Sequence, residues 1–380
     1  MESNDITSWD QLSLKDNLLR GIYSYGFENP SPIQKKGIGP ILTGKDVIAQ
    51  AQSGTGKTGA FTISTIQCID ETVNEIQGLI LAPTRELAIQ IHDVVTKLGS
   101  FVENLSCALL IGGRSVEQDV KDIEKNPQII VGTPGRIHDL IRRRKINTKT
   151  IKIMVLDEAD EMLSSGFKEQ IYNIFQFLGN SVQIALFSAT LPSEIQSITE
   201  KFMRDPVKIL VKTESITLEG IQQYYVAIEN DTQKYETLKD LFQAISVNQC
   251  IIYCNSINRV TDLCEALTKD NFPVCCIHSG MEKDERMKAY KDFTTGGSRV
   301  LISTNLTARG IDVQQVSTVI NFDIPKDIHT YIHRIGRSGR WGRKGMGINF
   351  ITRRDIGKIK EIEEYYETQI EELPSTITTA

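Results

Sequence analysis

Long apolar runs are missing from this sequence: none approaches the roughly 18 residues that a membrane-spanning helix needs. Positive charge is not in excess either, since 43 Lys and Arg stand against 48 Asp and Glu for a net charge of −5. A chain that grips nucleic acid by bulk electrostatics is usually basic, so composition leans against that mode of binding. None of the seven cysteines stands in a C-x-x-C pair, and none has a histidine at metal-ligand spacing. They read as reduced thiols filling the core of an intracellular protein. The first residues, Met1-Glu2-Ser3-Asn4-Asp5, are polar and acidic and do not read as a signal peptide. The expectation is a soluble cytoplasmic protein, with the nucleus as the alternative and no membrane partner.

A regular alternation is what the chain does have. With 380 residues, 40% of them hydrophobic and 24% charged, it is long enough for two globular domains. Short apolar runs at 47–49, 78–82, 108–111, 129–132, 153–156 and 183–187 read as strands, with helical stretches such as 86–98 and 115–125 between them. The alternation restarts at 226–228 and continues through 249–253, 273–277, 299–303, 316–321 and 347–351. Near-continuous apolar strands separated by helices predict an α/β fold, with parallel sheets covered on both faces. The polar stretch around 212–219 reads as a linker between domains spanning 1–211 and 220–380. Such a pair predicts a cleft that opens and closes.

Ala51-Gln52-Ser53-Gly54-Thr55-Gly56-Lys57-Thr58 follows the first strand and precedes a helical run. This is the P-loop pattern with alanine in place of its first glycine. Glycines let backbone N–H groups curl around phosphate oxygens at a helix N-terminus. Lys57 is placed to reach the β- and γ-phosphates of ATP, and Thr58 to offer its hydroxyl to Mg²⁺. The bland alternative is a glycine-rich turn; the strand before, the helix after and Gly-Lys-Thr argue against it. Asp157-Glu158-Ala159-Asp160 stands directly after the strand at 153–156, where a carboxylate points into a ligand crevice. Asp157 would hold Mg²⁺, partly through water, and Glu158 would orient the attacking water or accept its proton. Alone, these acids could be a solvated strand end; the P-loop upstream favours an ATPase.

In one-letter code those four residues spell D-E-A-D, and from about Trp9 onward the chain resembles the DEAD-box RNA helicases of superfamily two. Gly26-Phe27-Glu28-Asn29-Pro30-Ser31-Pro32-Ile33-Gln34 is similar to the family's adenine-recognition segment, which implies that Phe27 stacks on adenine and Gln34 reads its edge. Trp9 takes an upstream aromatic position where phenylalanine is more usual. Pro83-Thr84-Arg85-Glu86-Leu87-Ala88, Gly112-Gly113 and Thr133-Pro134-Gly135-Arg136 match the RNA-backbone motifs of the first domain. Ser188-Ala189-Thr190 matches the motif that couples nucleotide to RNA. In the second domain, the segments 252–256 and 303–312 resemble the fourth and fifth motifs, and His333-Arg334-Ile335-Gly336-Arg337-Ser338-Gly339-Arg340 matches the sixth.

The resemblance implies two RecA-like domains and an ATP-dependent RNA helicase. ATP would be held by Phe27, Gln34, Ser53, Gly54, Thr55, Gly56, Lys57 and Thr58, with Gly310 and Asp312 from the fifth motif. RNA phosphates would lie along Thr84, Arg85, Gly113, Thr133, Gly135, Arg136, Asn255 and Thr304. Ser188, Thr190 and His333 would couple the two ligands, and Arg337 and Arg340 would be arginine fingers beside Lys57, Asp157 and Glu158 in catalysis. Segments 166–172, 309–316 and 368–374 are most similar to the subgroup of translation initiation factor 4A and its nuclear relatives. That likeness implies a monomer that locally unwinds short RNA duplexes with poor processivity in translation initiation, with a helical-repeat scaffold protein as activator. The alternatives are an ATP-gated RNA clamp with low turnover, and a P-loop ATPase acting on protein or DNA. The last is disfavoured by Thr133–Arg136 and His333–Arg340.

Three positions depart from the family pattern. Asn305 replaces the usual aspartate of the fifth motif, Thr307 stands where an apolar residue is common, and Lys283 replaces a glutamine. The Asn305 change exchanges a charged acceptor for an amide that both donates and accepts, which implies a tuned fifth motif. The basic run Arg142-Arg143-Arg144-Lys145 reads as a solvated helix end rather than a second RNA patch. His92, His138, His278 and His329 are isolated and read as structural.

Overall fold

A computed structural model of the chain describes residues 6–51, 54–164, 166–191, 193–210, 221–244, 249–307, 316–338 and 345–374. The chain divides into two compact units, Met1–Lys212 and Thr213–Ala380. The expected linker at 212–219 lies outside the described residues, as do Ser53, Gly310, Asp312 and Arg340.

The first unit runs α1 (Asp16–Ser24), α2 (Pro32–Leu42), β1 (Val47–Gln50), α3 (Lys57–Cys68), β2 (Gly78–Leu81), α4 (Arg85–Leu98), β3 (Cys107–Leu110), α5 (Val116–Ile123), β4 (Ile129–Gly132), α6 (Pro134–Arg142), β5 (Ile153–Leu156), α7 (Ala159–Ser164), α8 (Lys168–Phe177), β6 (Gln183–Ser188), α9 (Ser193–Phe202) and β7 (Val207–Leu210). The second continues β8 (Ile221–Ala227), α10 (Lys234–Ala244), β9 (Cys250–Tyr253), α11 (Ile257–Lys269), β10 (Val274–Ile277), α12 (Lys283–Thr294), β11 (Val300–Ser303), β12 (Thr318–Asn321), α13 (Ile328–Ile335), β13 (Gly345–Ile351), α14 (Ile356–Tyr366) and β14 (Glu371–Glu372).

Among the described residues each unit holds one seven-stranded parallel sheet, in the orders β3-β4-β2-β5-β6-β1-β7 and β10-β11-β9-β12-β13-β8-β14. Each sheet is apolar on both faces because successive strand residues point opposite ways. In β5, Ile153 and Val155 enter one core cluster while Met154 and Leu156 enter another across the sheet. In β9, Ile251 and Tyr253 face one side and Cys250 and Ile252 the other.

Strand order positions the chemistry. β6 lies between β1 and β5, pairing with both in parallel register. The segments leaving the C-terminal ends of these strands are the P-loop, Asp157–Asp160 and Ser188–Thr190, so topology alone makes them neighbours.

Candidate nucleotide and RNA site

Gly56 caps α3 with φ 99°, a left-handed conformation that favours glycine. A Cβ there would lie 2.7 Å from Ser31 Oγ, and one on Gly59 would lie 2.6 Å from Gln34 Nε2 and 3.0 Å from Phe27. The two glycines therefore let the start of α2 press directly on the P-loop helix. Gln34 is buried; its Oε1 accepts from the Ser31 N–H at 2.7 Å, and its Nε2 donates to the Gly56 carbonyl at 3.2 Å. Each amide atom keeps further hydrogen-bonding capacity for a base edge. Phe27 stacks on Trp9 at 6.2 Å between ring centres, and the Trp9 indole donates to the Phe27 carbonyl at 3.0 Å. Trp9 is fully buried, so it sets the position of Phe27 from behind.

Lys57 Nζ lies 3.4 Å from Glu158 Oε1, and both side chains are almost wholly buried. The Glu158 backbone adopts φ 50°, a strained conformation for a non-glycine residue. Its N–H donates to Asp157 Oδ1 at 3.0 Å. Burial, then the neighbouring Glu158 charge, push the Asp157 carboxyl up to about 7, against the pull of Lys57. Asp160, also buried, accepts from Thr190 Oγ1 at 2.7 Å, and its N–H donates to Ser188 Oγ at 3.3 Å. The carboxylate cluster and Ser188-Ala189-Thr190 are thus one bonded unit.

The raised Asp157 value has a stability consequence. The folded state holds this proton more tightly than the unfolded chain, whose carboxyl titrates near 3.8. Its contribution is therefore favourable at low pH and is lost as pH rises through about 7. Without nucleotide or Mg²⁺, Asp157→Asn should melt about 3 °C or more above the parent at pH 8, with the gain shrinking toward pH 5. A difference independent of pH would refute this origin.

The segments matched to RNA motifs sit at the ends of β2, β3 and β4. Thr84 caps α4, its Oγ1 accepting from the Leu87 N–H at 3.2 Å, and Arg85 begins the helix beside Gly112. Gly113 is exposed with φ 85°. Thr133 caps α6, and Gly135 is exposed in its first turn, where a Cβ would meet nothing within 4 Å. The N–H groups of such a turn lack intrahelical partners and suit phosphate oxygens. Arg136 is used differently: its guanidinium pairs with the fully buried Asp119 and donates to the Arg114 carbonyl at 2.8 Å. It holds α6 against α5 and the loop before it.

The second unit is organised around a residue that sequence reasoning left without a role. Arg334, fully buried in α13, donates to Asn305 Oδ1 from Nε at 2.8 Å and Nη2 at 2.6 Å, and to Asn255 Oδ1 from Nη2 at 2.8 Å. Its Nη1 donates to Asn321 Oδ1 at 3.1 Å and to the Asp323 carbonyl at 2.7 Å. The guanidinium lies over the Tyr253 ring, and burial lowers its pKa to about 10. One side chain thus ties together the fourth, fifth and sixth motifs. Asn321 passes the network to Asn349 at 2.8 Å, and Asn349 reaches the Tyr331 hydroxyl at 3.2 Å. His333 and Arg337 are buried nearby in sequence, and Arg337 Nε donates to the His333 carbonyl at 3.2 Å. Thr307 is buried and its carbonyl accepts from Tyr253 Oη at 3.1 Å.

Two family models match the chain: DEAD/DEAH box helicase over residues 31–198 and helicase conserved C-terminal domain over residues 233–342. The ATP-dependent RNA helicase eIF4A of Pyricularia oryzae is 54% identical over 380 residues, covering 99% of this chain and 96% of that protein. The chain belongs to the DEAD-box family of ATP-dependent RNA helicases. The eIF4A of Kluyveromyces lactis is 55% identical over 373 residues, 98% of this helicase and 94% of its relative. Among solved structures, Saccharomyces cerevisiae Dbp5 bound to RNA and ADP BeF3 superposes with a TM-score of 0.89 at 34% identity, over 97% of this chain and 96% of that one. The two parallel sheets are accordingly the two RecA-like domains of the family, and the enzyme is an RNA-dependent ATPase.

Proposed function

We propose that this DEAD-box helicase couples RNA-stimulated ATP hydrolysis to local, poorly processive separation of short RNA duplexes in translation initiation. The observation that supports the coupling most directly is the bonded unit of Asp160, Ser188 and Thr190. A change in the carboxylates around the nucleotide cannot leave Ser188-Ala189-Thr190 undisturbed.

Phosphoryl transfer needs an in-line water and positive charge on the transition state rather than covalent help. Phe27 would stack on adenine while Gln34 bonds its edge. The P-loop from Ser53 to Thr58 would cradle the phosphates, and Lys57 would exchange its Glu158 partner for phosphate oxygens. Released from that pair, Glu158 would orient the water and take its proton. Two buried carboxylates, Asp157 and Glu158, stand beside the Lys57 ammonium, and this donor set fits Mg²⁺ held by one carboxylate, water and phosphate. Asp157 and the Thr58 hydroxyl would hold the ion, which would offset the charge on the phosphates. From the second unit, Gly310 and Asp312 would bind nucleotide, and Arg337 and Arg340 would supply the arginine charge, worth about 10³–10⁵ in rate in related reactions.

Thr84, Arg85, Gly113, Thr133, Gly135, Asn255 and Thr304 would contact RNA phosphates and sugars without reading bases. Arg136 would act there through its buried pair, fixing the start of α6, and His333 would link nucleotide to RNA. Unstacking costs roughly 1.4 kcal/mol per step on the DNA scale, so one ATP-driven binding event separates only a few pairs. A cytoplasmic monomer stimulated by a helical-repeat scaffold protein completes the reading.

Strand separation should be followed on RNA duplexes of increasing length with ATP in excess. Rapid separation of short duplexes, falling steeply with length and absent for DNA duplexes, is expected. Long-lived ATP-dependent RNA complexes with few turnovers and no separation would replace the helicase reading with the clamp.

A further inference from the structure

A chain of side-chain hydrogen bonds leaves Arg334 and crosses the second unit to its rim. Arg334 Nη1 donates to Asn321 Oδ1 at 3.1 Å, Asn321 Nδ2 to Asn349 Oδ1 at 2.8 Å, and Asn349 Nδ2 to Tyr331 Oη at 3.2 Å. Tyr331 Oη donates onward to Gln223 Oε1 at 2.8 Å, and Gln223 Nε2 to Thr368 Oγ1 at 2.9 Å. Asn321 and Asn349 are register partners on the neighbouring strands β12 and β13. Gln223 lies on β8, the next strand, and Thr368 comes just before β14, which pairs with β8 at the edge of the sheet. Asn321, Asn349 and Tyr331 are fully buried, Gln223 is buried, and Thr368 is half-buried.

Every bond in the chain runs the same way, and groups that can only donate or only accept fix the direction. A guanidinium has no acceptor, so Asn321 must present its oxygen to Arg334 and turn its NH₂ to Asn349. The Tyr224 carbonyl can only accept, and it takes Asn349 Nδ2 at 2.9 Å, which gives the second amide the same sense. Tyr331 therefore receives one hydrogen bond and sends its own proton to Gln223. A chain that starts at a cation and points one way is polarised along its length, each bond strengthening the next. It runs beside an apolar cluster that includes Ile332, Ile335, Ile359 and Ile362. Burying polar groups in such surroundings costs free energy unless each is bonded, so packing by itself has no use for them.

What the chain supplies is orientation. Nε and Nη2 of Arg334 hold Asn305 and Asn255, while Nη1 is held by Asn321 and the Asp323 carbonyl. A planar fork gripped at Nη1 cannot turn away from the partners of its other two nitrogens. We propose that Asn321, Asn349, Tyr331, Gln223 and Thr368 are positioning residues for RNA binding. Acting through Arg334, they hold Asn255, and through Asn305 its neighbour Thr304, in place to meet RNA. That role rests on the reading of Asn255 as an RNA contact, and it extends the support of the RNA site to the edge of the sheet.

Steady-state ATP hydrolysis by the full chain, measured against the concentration of single-stranded RNA, tests this. Tyr331→Phe removes one oxygen from the middle of the chain, and Thr368→Val removes its last acceptor while keeping the side-chain shape. Each should raise the KM for RNA about threefold to tenfold, the reach of one net hydrogen bond. The KM for ATP and kcat at saturating RNA should stay at the parent values, and Thr368→Ser, which keeps the hydroxyl, should match the parent throughout. Ile359→Val thins the same apolar cluster without removing a hydrogen bond of the chain; it should lower the melting temperature and leave the KM for RNA alone. If Tyr331→Phe and Thr368→Val lower only the melting temperature, as Ile359→Val does, the chain is structural and the proposal is overturned. Failure of Thr368→Ser to match the parent would overturn it as well. Asn255→Ala tells such a failure apart from a failure of the site: a parent KM for RNA in that variant would remove the RNA reading of Asn255, and the positioning role with it.

Discussion

Glu158→Gln should lower RNA-stimulated ATP turnover about 10²–10⁴-fold, the span typical of a lost general base, while ATP-dependent RNA binding persists. Glutamine matches glutamate in shape, so the left-handed backbone at 158 and the packing of this buried side chain have no reason to change. Only the ability to accept the water's proton goes. The variant also removes one carboxylate from beside Asp157, which eases rather than opposes binding of a polyphosphate. Steady-state turnover and RNA binding measured with ATP together check the prediction. Turnover near the parent value would take the base role away from Glu158, whereas loss of binding would make the residue structural.

Arg334→Lys should destabilise the second unit by about 3 kcal/mol or more, through the one to three kcal/mol cost of each buried polar atom left without a partner. Arginine offers five N–H donors in a planar fork, and lysine offers three from a single point. The fork here reaches Asn255, Asn305, Asn321 and the Asp323 carbonyl, which lie on three separate segments. An ammonium cannot serve all four at once. Among these acceptors there is no carboxylate, because Asn305 stands where the family usually has aspartate, so the guanidinium is held by amide and carbonyl oxygens, by the face of the Tyr253 ring and by the nearby Asp323 charge. Hydrogen exchange read by mass spectrometry should show faster exchange in 250–255, 318–324 and 328–335, with the first unit unaffected. Unchanged protection in these peptides would mean that the hub does not hold the unit together.

Much of this was legible in the residues. Buried parallel strands such as β4 and β5 announce themselves because both faces are apolar, and short motifs sit at their C-terminal ends, where the fold gathers ligands. Edge strands are harder. β7 buries mainly Ile209, and β8 begins five residues before the expected strand at 226–228 because Ile221-Gln222-Gln223 carries no apolar run. The Arg334 network was invisible for a related reason. Asn321 and Asn349 look like polar interruptions of apolar strands, and nothing local says that they face an arginine on α13. Fully buried asparagines inside apolar strands are nonetheless a usable signal, since such groups need partners. Arg136 carries a contact its motif does not announce: its part-buried guanidinium pairs with Asp119, which a charge-rich helix makes look solvated but which is fully buried.

The net charge of −5 also acquires a physical reading. Bulk electrostatics cannot supply the grip on RNA, so in the proposed mechanism affinity comes from backbone N–H groups, hydroxyls and a few arginines engaged when ATP is bound. Between ATP cycles RNA should be held weakly. Steady-state ATP hydrolysis with and without single-stranded RNA tests this account most directly. Turnover is expected to rise about tenfold or more with RNA, given the dependence of such reactions on a completed arginine site, and to continue through many cycles. A rate indifferent to RNA would contradict the coupling on which the account rests.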